Sequence, residues 1–162
     1  MENRITPEFI TSLKPNEIFV FGSNLQGMHA GGAARCAMKF GAEWGNGVGL
    51  QGNTYAIPTL TFPAGMDTED DMLDLSDINR YVQQFIAFAK SHPELFFYVT
   101  PIGCGIAGFT PRQITPMFRG ALELENVSLP KDFLAVLNPT KKSLRDIISG
   151  AIHKVLREEH YI

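Results

Sequence analysis

The chain reads as an α/β protein built on a mainly parallel sheet, and three observations lead there. Ile18-Phe19-Val20-Phe21 is a continuous apolar run, β-branched and aromatic, of the kind buried on both faces of a parallel sheet. Further short apolar runs follow, separated by segments of helical periodicity. Two glycine-rich loops each follow an apolar run and precede a helix start. In such sheets ligands sit outside the carboxyl ends of the strands. Both loops are expected there, facing one ligand.

At 162 residues the chain suits one domain, 1–162, with enough length for a core. A hydrophobic share of 44% and a charged share of 19% place it among ordinary globular proteins. Net charge is −3 and no cationic run exceeds Lys141-Lys142, which argues against broad nucleic-acid binding. Cys36 and Cys104 form no metal-ligand pair and no disulfide framework. MENRITPEF lacks a basic region followed by an apolar run, and no apolar stretch approaches membrane-spanning length. A cytoplasmic protein with no cofactor, no metal and no membrane partner is expected.

Residues 6–14 are expected to form a short helix or turn, with Thr6-Pro7 at its start and Pro15-Asn16 at its end. The strand around 18–21 empties into Gly22-Ser23-Asn24-Leu25-Gln26-Gly27-Met28-His29-Ala30-Gly31-Gly32. Ala33 to Phe40 reads as a helix whose small residues allow close packing, with Gly41 at C′. Five glycines in 41–53 predict an irregular segment around Trp44. Tyr55-Ala56-Ile57-Pro58 is a strand cut short by proline.

Residues 60–75, with Asp67, Glu69, Asp70, Asp71 and Asp74, read as a solvated acidic excursion. Ser76 is expected to cap a helix to about His92, on the spacing of Ile78, Val82, Phe85, Ile86 and Ala89. Pro93 ends it, and Leu95 to Thr100 is the next strand. Thr110 at the N-cap and Pro111 at N1 start a helix over 112–122 that Pro116 shortens or kinks. Glu125–Leu129 and Phe133–Leu137 read as strands. A last helix after Asn138-Pro139-Thr140 carries an apolar face of Leu144, Ile147, Ile148, Ala151, Ile152 and Val155.

The second loop, Gly103-Cys104-Gly105-Ile106-Ala107-Gly108-Phe109, places three glycines in six residues. Such a loop lets a ligand rest against bare amides, and phosphate is its usual occupant. The first loop contains no G-x-x-x-x-G-K-[ST] and no G-x-G-x-x-G, so neither a Walker loop nor a Rossmann fingerprint is present. Asn24 carries donors and an acceptor suited to a ribose hydroxyl or a base edge, and suits a turn equally. His29 is the nearby side chain able to act as acid or base near neutral pH, or a solvated loop histidine. Cys104 sits where an anion-binding loop lowers a thiol pKa. A phosphatase cysteine needs an arginine six positions on, and Thr110 stands there, so Cys104 reads as a small loop residue. Trp44, Tyr55, Phe62 and Phe109 are candidates to stack on a base, or core residues.

Strand-Gly22-Ser23-Asn24-Leu25-x-Gly27 followed by Ala30-Gly31-Gly32-Ala33-Ala34 resembles the first ligand loop of the macrodomain family. Pro101 to Phe109 is similar to the second macrodomain loop, and Tyr55–Pro58 to the intervening strand. The resemblance spans Ile18 to Phe118. It implies a three-layer α/β/α sandwich with a mixed, mainly parallel sheet that binds ADP-ribose or a related nucleotide. It implies that Asn24 meets the distal ribose and Gly31 and Gly32 the diphosphate side, with Gly22 and Ser23 also ligand-binding. Gly105, Ile106, Ala107, Gly108 and Phe109 would meet the phosphates, with Gly103 and Cys104 also ligand-binding. Its enzymatic variant hydrolyses an ADP-ribosyl bond, with Asn24 and His29 as catalytic candidates. The partner is then an ADP-ribose-like small molecule or an ADP-ribosylated macromolecule. The first turn lacks the family's further asparagine, and Glu17 is the nearest counterpart of its adenine-reading acid. Binding is thus implied more directly than hydrolysis. The alternatives are a non-catalytic nucleotide sensor and a structural protein with vestigial loops.

Overall fold

The computed structural model describes residues 4–63, 71–138 and 148–150. The 18–21 run forms the central strand β1, Glu17–Asn24. Its residues alternate between two cores, as the two-residue period of a strand demands. Ile18 and Val20 enter the larger core, Phe19 and Phe21 the smaller. Helix α1, Gly32–Met38, lays Ala34 and Ala37 on the smaller core, where their small side chains permit close approach. The chain returns through β2, Gly49–Gln51, and β3, Thr54–Leu60. Helix α2, Leu75–Ser91, turns Ile78, Val82, Phe85 and Ala89 onto the larger core. Then come β4, Phe96–Val99; α3, Pro111–Ile114; a 3-10 segment, Thr115–Ala121; β5, Val127–Ser128; and α4, Lys131–Leu137.

The five strands form one mixed sheet in the order β2-β3-β1-β4-β5. β2 runs antiparallel to β3, and the other neighbours are parallel. The α/β class with a mainly parallel sheet is therefore observed. Phe85 anchors the larger core, fully buried against the rings of Tyr55 at 5.1 Å and Phe97 at 5.4 Å. Burying such a side chain contributes roughly 1.5–3 kcal/mol. Among the described residues no helix is long and apolar enough to cross a membrane.

Several local expectations are corrected. Residues 6–14 form no helix; instead Ile5 bridges Leu129 and Thr6 donates its N–H to the Leu129 carbonyl, extending the β5 edge. Residues 41–53 are not wholly irregular, since they contain β2. Pro58 does not end β3, which continues to Leu60. Pro58 still pairs in register with Ser23 of β1, but the β2 partner stops at Ala56, so proline lies beyond the β2 pairing and needs no N–H on that side. The cap of α2 is Asp74 rather than Ser76. Phe133–Leu137 is helical, not extended: Phe133, Leu134 and Leu137 are buried, the i, i+1, i+4 spacing of one helix face. Asp67, Glu69 and Asp70 of the acidic excursion lie outside the described residues. So does the last helix, apart from the helical residues 148–150.

The topology positions a crevice. β1 and β4 are neighbours, and their exits diverge to opposite faces. The chain leaving β1 reaches α1 on the smaller core, while that leaving β4 reaches α3, whose Ile114 belongs to the larger core. Where adjacent parallel strands send their loops apart, a cleft opens at their carboxyl ends.

Candidate functional site

That cleft is present, with a volume of about 400 Å3, inside the range of small-molecule sites. Gly22, Ser23, Asn24, Gly31 and Gly32 line one side, and Gly103, Gly105, Ile106 and Ala107 the other. The structure thus brings nine predicted residues together. Met28, Ala30, Thr59, Pro63 and Thr100 also line it. Thr59 and Thr100 stand at strand ends facing β1, a placement that only the register reveals.

The first loop is held by its own polar groups. The Asn24 side-chain amide donates to the Met28 carbonyl at 2.9 Å and its oxygen accepts the Met28 N–H at 3.0 Å. The Ser23 hydroxyl donates to the Gly47 carbonyl at 2.5 Å. Behind the cleft, the 43–47 segment docks on this loop through Gly45 N–H to the Gly27 carbonyl at 2.9 Å. The Asn24 side chain is therefore a clamp of the loop as well as a cleft wall.

The second loop is shaped by Cys104 N–H to Pro101 O, Gly108 N–H to Gly105 O and Phe109 N–H to Gly103 O. Its exit is the expected helix start: Thr110 accepts from the Gln113 N–H while the Gln113 side chain accepts from the Thr110 N–H, a capping box with Pro111 at N1. The two rims come close. A Cβ on Gly22 would lie 3.3 Å from the Gly103 nitrogen. Gly32, at φ +60°, faces the Ile106 side chain, whose Cδ1 would lie 3.3 Å from an added Cβ. A side chain there would press on the tip of Ile106 and strain the backbone.

Among the described residues, no backbone hydrogen bond is donated by the N–H groups of Gly31, Gly32 and Ala33 on one rim, nor of Gly105, Ile106 and Ala107 on the other. The same cleft has no charged side chain among its described lining residues. Its chemistry is that of amide donors, two threonines, a serine and an asparagine.

Other predicted residues lie elsewhere. His29 is buried at 2% exposure, neither solvated nor on the cleft; its Nε2 meets the Asn46 carbonyl at 2.9 Å. Cys104 and Gly108 do not line the cleft, and Phe109 is buried in the larger core. Burial, then the Asp132 carboxylate, push the Cys104 thiol up, the reverse of an anion-loop cysteine. Glu17 starts β1, about 23 Å along the strand from Asn24. It accepts a hydrogen bond from the Tyr98 hydroxyl, which holds its carboxyl below the usual range. Tyr55 is core, while Trp44 and Phe62 are exposed but outside the cleft lining.

A second depression, about 440 Å3, lies at the opposite end of the sheet beside Lys90, Glu94, Glu123 and Asn126. The Asn126 amide there donates to the carbonyls of Ala89, His92 and Leu95, closing the end of α2. No group of three or more metal-ligating side chains occurs among the described residues. Compared with known proteins, the chain matches no family model, no curated protein and no solved structure.

Proposed function

We propose that this chain is a macro-like three-layer α/β/α domain that binds ADP-ribose, or a related ADP-ribosyl or nucleotide ligand, across the β1–β4 cleft. One observation carries the reading. Both glycine loops line a single cleft, and each contributes backbone N–H groups without an acceptor among the described residues. Such donors suit the non-bridging oxygens of a diphosphate without requiring cationic side chains. The volume suits a ligand lying along the groove, with Asn24 and Ser23 at one end for hydroxyl groups.

The reading is of a binder more than a hydrolase. No acid or base lines the cleft among the described residues, and His29 is turned away from it. The ligand is either free or attached to a macromolecule. Calorimetric titration with ADP-ribose, NAD and AMP tests this. Saturable one-to-one binding of ADP-ribose is expected, without release of ADP-ribose from a modified protein or nucleic acid. Flat titrations with all three ligands would overturn it.

A further inference from the structure

We propose that His29 is a positioning residue of the cleft, a buried strut whose Nε2–H holds the first loop against the 43–47 segment. The inference rests on the cleft being the binding site. Its neighbours in sequence, Met28 and Ala30, both line the cleft, while the His29 ring turns inward. There it packs edge-on against Phe21, ring centroids 5.2 Å apart at 81°. Its Nε2 reaches the Asn46 carbonyl, an acceptor only, so Nε2 carries the proton. Nδ1 is buried and has no partner among the described residues.

That orphan nitrogen is the informative feature. A buried polar atom without a partner is unfavourable, and a phenyl ring would fill the same space without it. What imidazole supplies that phenyl lacks is one N–H donor at depth, aimed at Asn46. The two segments are also tied by the Gly45 N–H to Gly27 carbonyl bond and by the Ser23 hydroxyl to Gly47 carbonyl bond. The bonds at Gly27 and His29 bracket Met28, whose backbone the Asn24 amide already grips. Losing the His29 bond removes the hydrogen bond that stretch 28–31 itself makes to the 43–47 segment.

Two variants separate the donor from the ring. His29→Phe keeps the aromatic contact with Phe21 and removes the donor. His29→Gln keeps an N–H donor and removes the ring. Amide hydrogen exchange over 24–32 and 43–47 is measured without ligand, and ADP-ribose affinity by calorimetry. For His29→Phe we expect exchange in both segments to rise and affinity to fall, each on the order of five- to tenfold, the equivalent of one net hydrogen bond. Exchange in α2 and β4 should not change, and His29→Gln should stay within about threefold of wild type. Wild-type exchange in His29→Phe, or equal loosening by both variants, would overturn the proposal.

Ring 15N NMR of the wild-type protein decides the matter if His29→Phe fails to fold. A protonated Nε2 beside a bare Nδ1 supports the strut, and a protonated Nδ1 refutes it. If the wild-type protein binds no ADP-ribose, the binding reading fails, while the exchange measurement still decides the role of His29.

Discussion

Gly47 offers the sharpest perturbation of the cleft from behind. Its φ lies outside the left-handed region, so the strain that favours glycine there is not the obstacle. The obstacle is space: a Cβ there would lie 2.1 Å from the Asn24 carbonyl oxygen and 3.2 Å from the Leu25 carbonyl carbon. Relieving the contact fully needs a shift of about 1.4 Å, since non-bonded atoms prefer roughly 3.5 Å or more. That shift strains the hydrogen bond from Ser23 to the Gly47 carbonyl. Overpacking and the weakened bond together predict a loss of about 2–4 kcal/mol for Gly47→Ala, or about 4–16 °C in Tm. Gly45→Ala is the control. Gly45 has φ +91° and open space around it, so only backbone strain of about 1–2 kcal/mol is expected, or about 2–8 °C. Urea unfolding ranks the two, and calorimetry reads their ADP-ribose affinity. Gly47→Ala should be the less stable and the weaker binder, with Gly45→Ala binding normally. If Gly47→Ala is as stable as Gly45→Ala, or binds as wild type does, the close nesting of the 43–47 segment on the cleft loop is refuted.

Two further outcomes follow from charge. With amide donors and no charged side chain among the described lining residues, ADP-ribose affinity should change little between 50 and 500 mM salt, apart from general screening on the order of a few-fold; a steep loss titrated by calorimetry would point to a lysine or arginine on the ligand. At the other end of the sheet, the Tyr98–Glu17 bond lowers the Glu17 pKa and raises that of Tyr98. Its stabilisation is therefore present above the ordinary carboxylate range and lost as pH falls through the lowered Glu17 value. At high pH it is lost as pH rises through the raised Tyr98 value. Tyr98→Phe should flatten the stability-versus-pH curve at both ends in denaturant titrations, and an unchanged profile would show that the pair contributes nothing.

The central strand and the two loops were legible because their signals are local and redundant. Ile18 to Phe21 is apolar at every position, and both faces of β1 are indeed buried. Thr110-Pro111 announces a helix start by two independent preferences, and the capping box adds a third. What escaped was set by tertiary context. Phe133–Leu137 is too short for its apolar content to distinguish strand from helix. Pro130 and Asp132 ahead of it, with burial at 133, 134 and 137, are the signals that favour helix. β2 is three residues between glycines, below the length at which alternation shows. Pro58 survives in β3 through the extent of its neighbours, which no local rule contains.

For the site, the sequence indicated which residues would gather but not which way they would turn. Nothing in the string around His29 distinguishes a ring facing a ligand from one buried on Phe21. The same holds for Asn24, whose amide is spent partly on Met28. Thr59 and Thr100 entered the cleft through parallel register, as their hydroxyls donate to the Ser23 and Val20 carbonyls of β1.

The central claim is that both glycine loops contact one ligand, and amide NMR tests it directly. On titration with ADP-ribose, the N–H resonances of Gly31, Gly32, Gly105, Ile106 and Ala107 should shift together along a single saturation curve, with those at the Lys90–Asn126 end unmoved. Shifts confined to one loop, two loops saturating at different concentrations, or no shifts at all would contradict it.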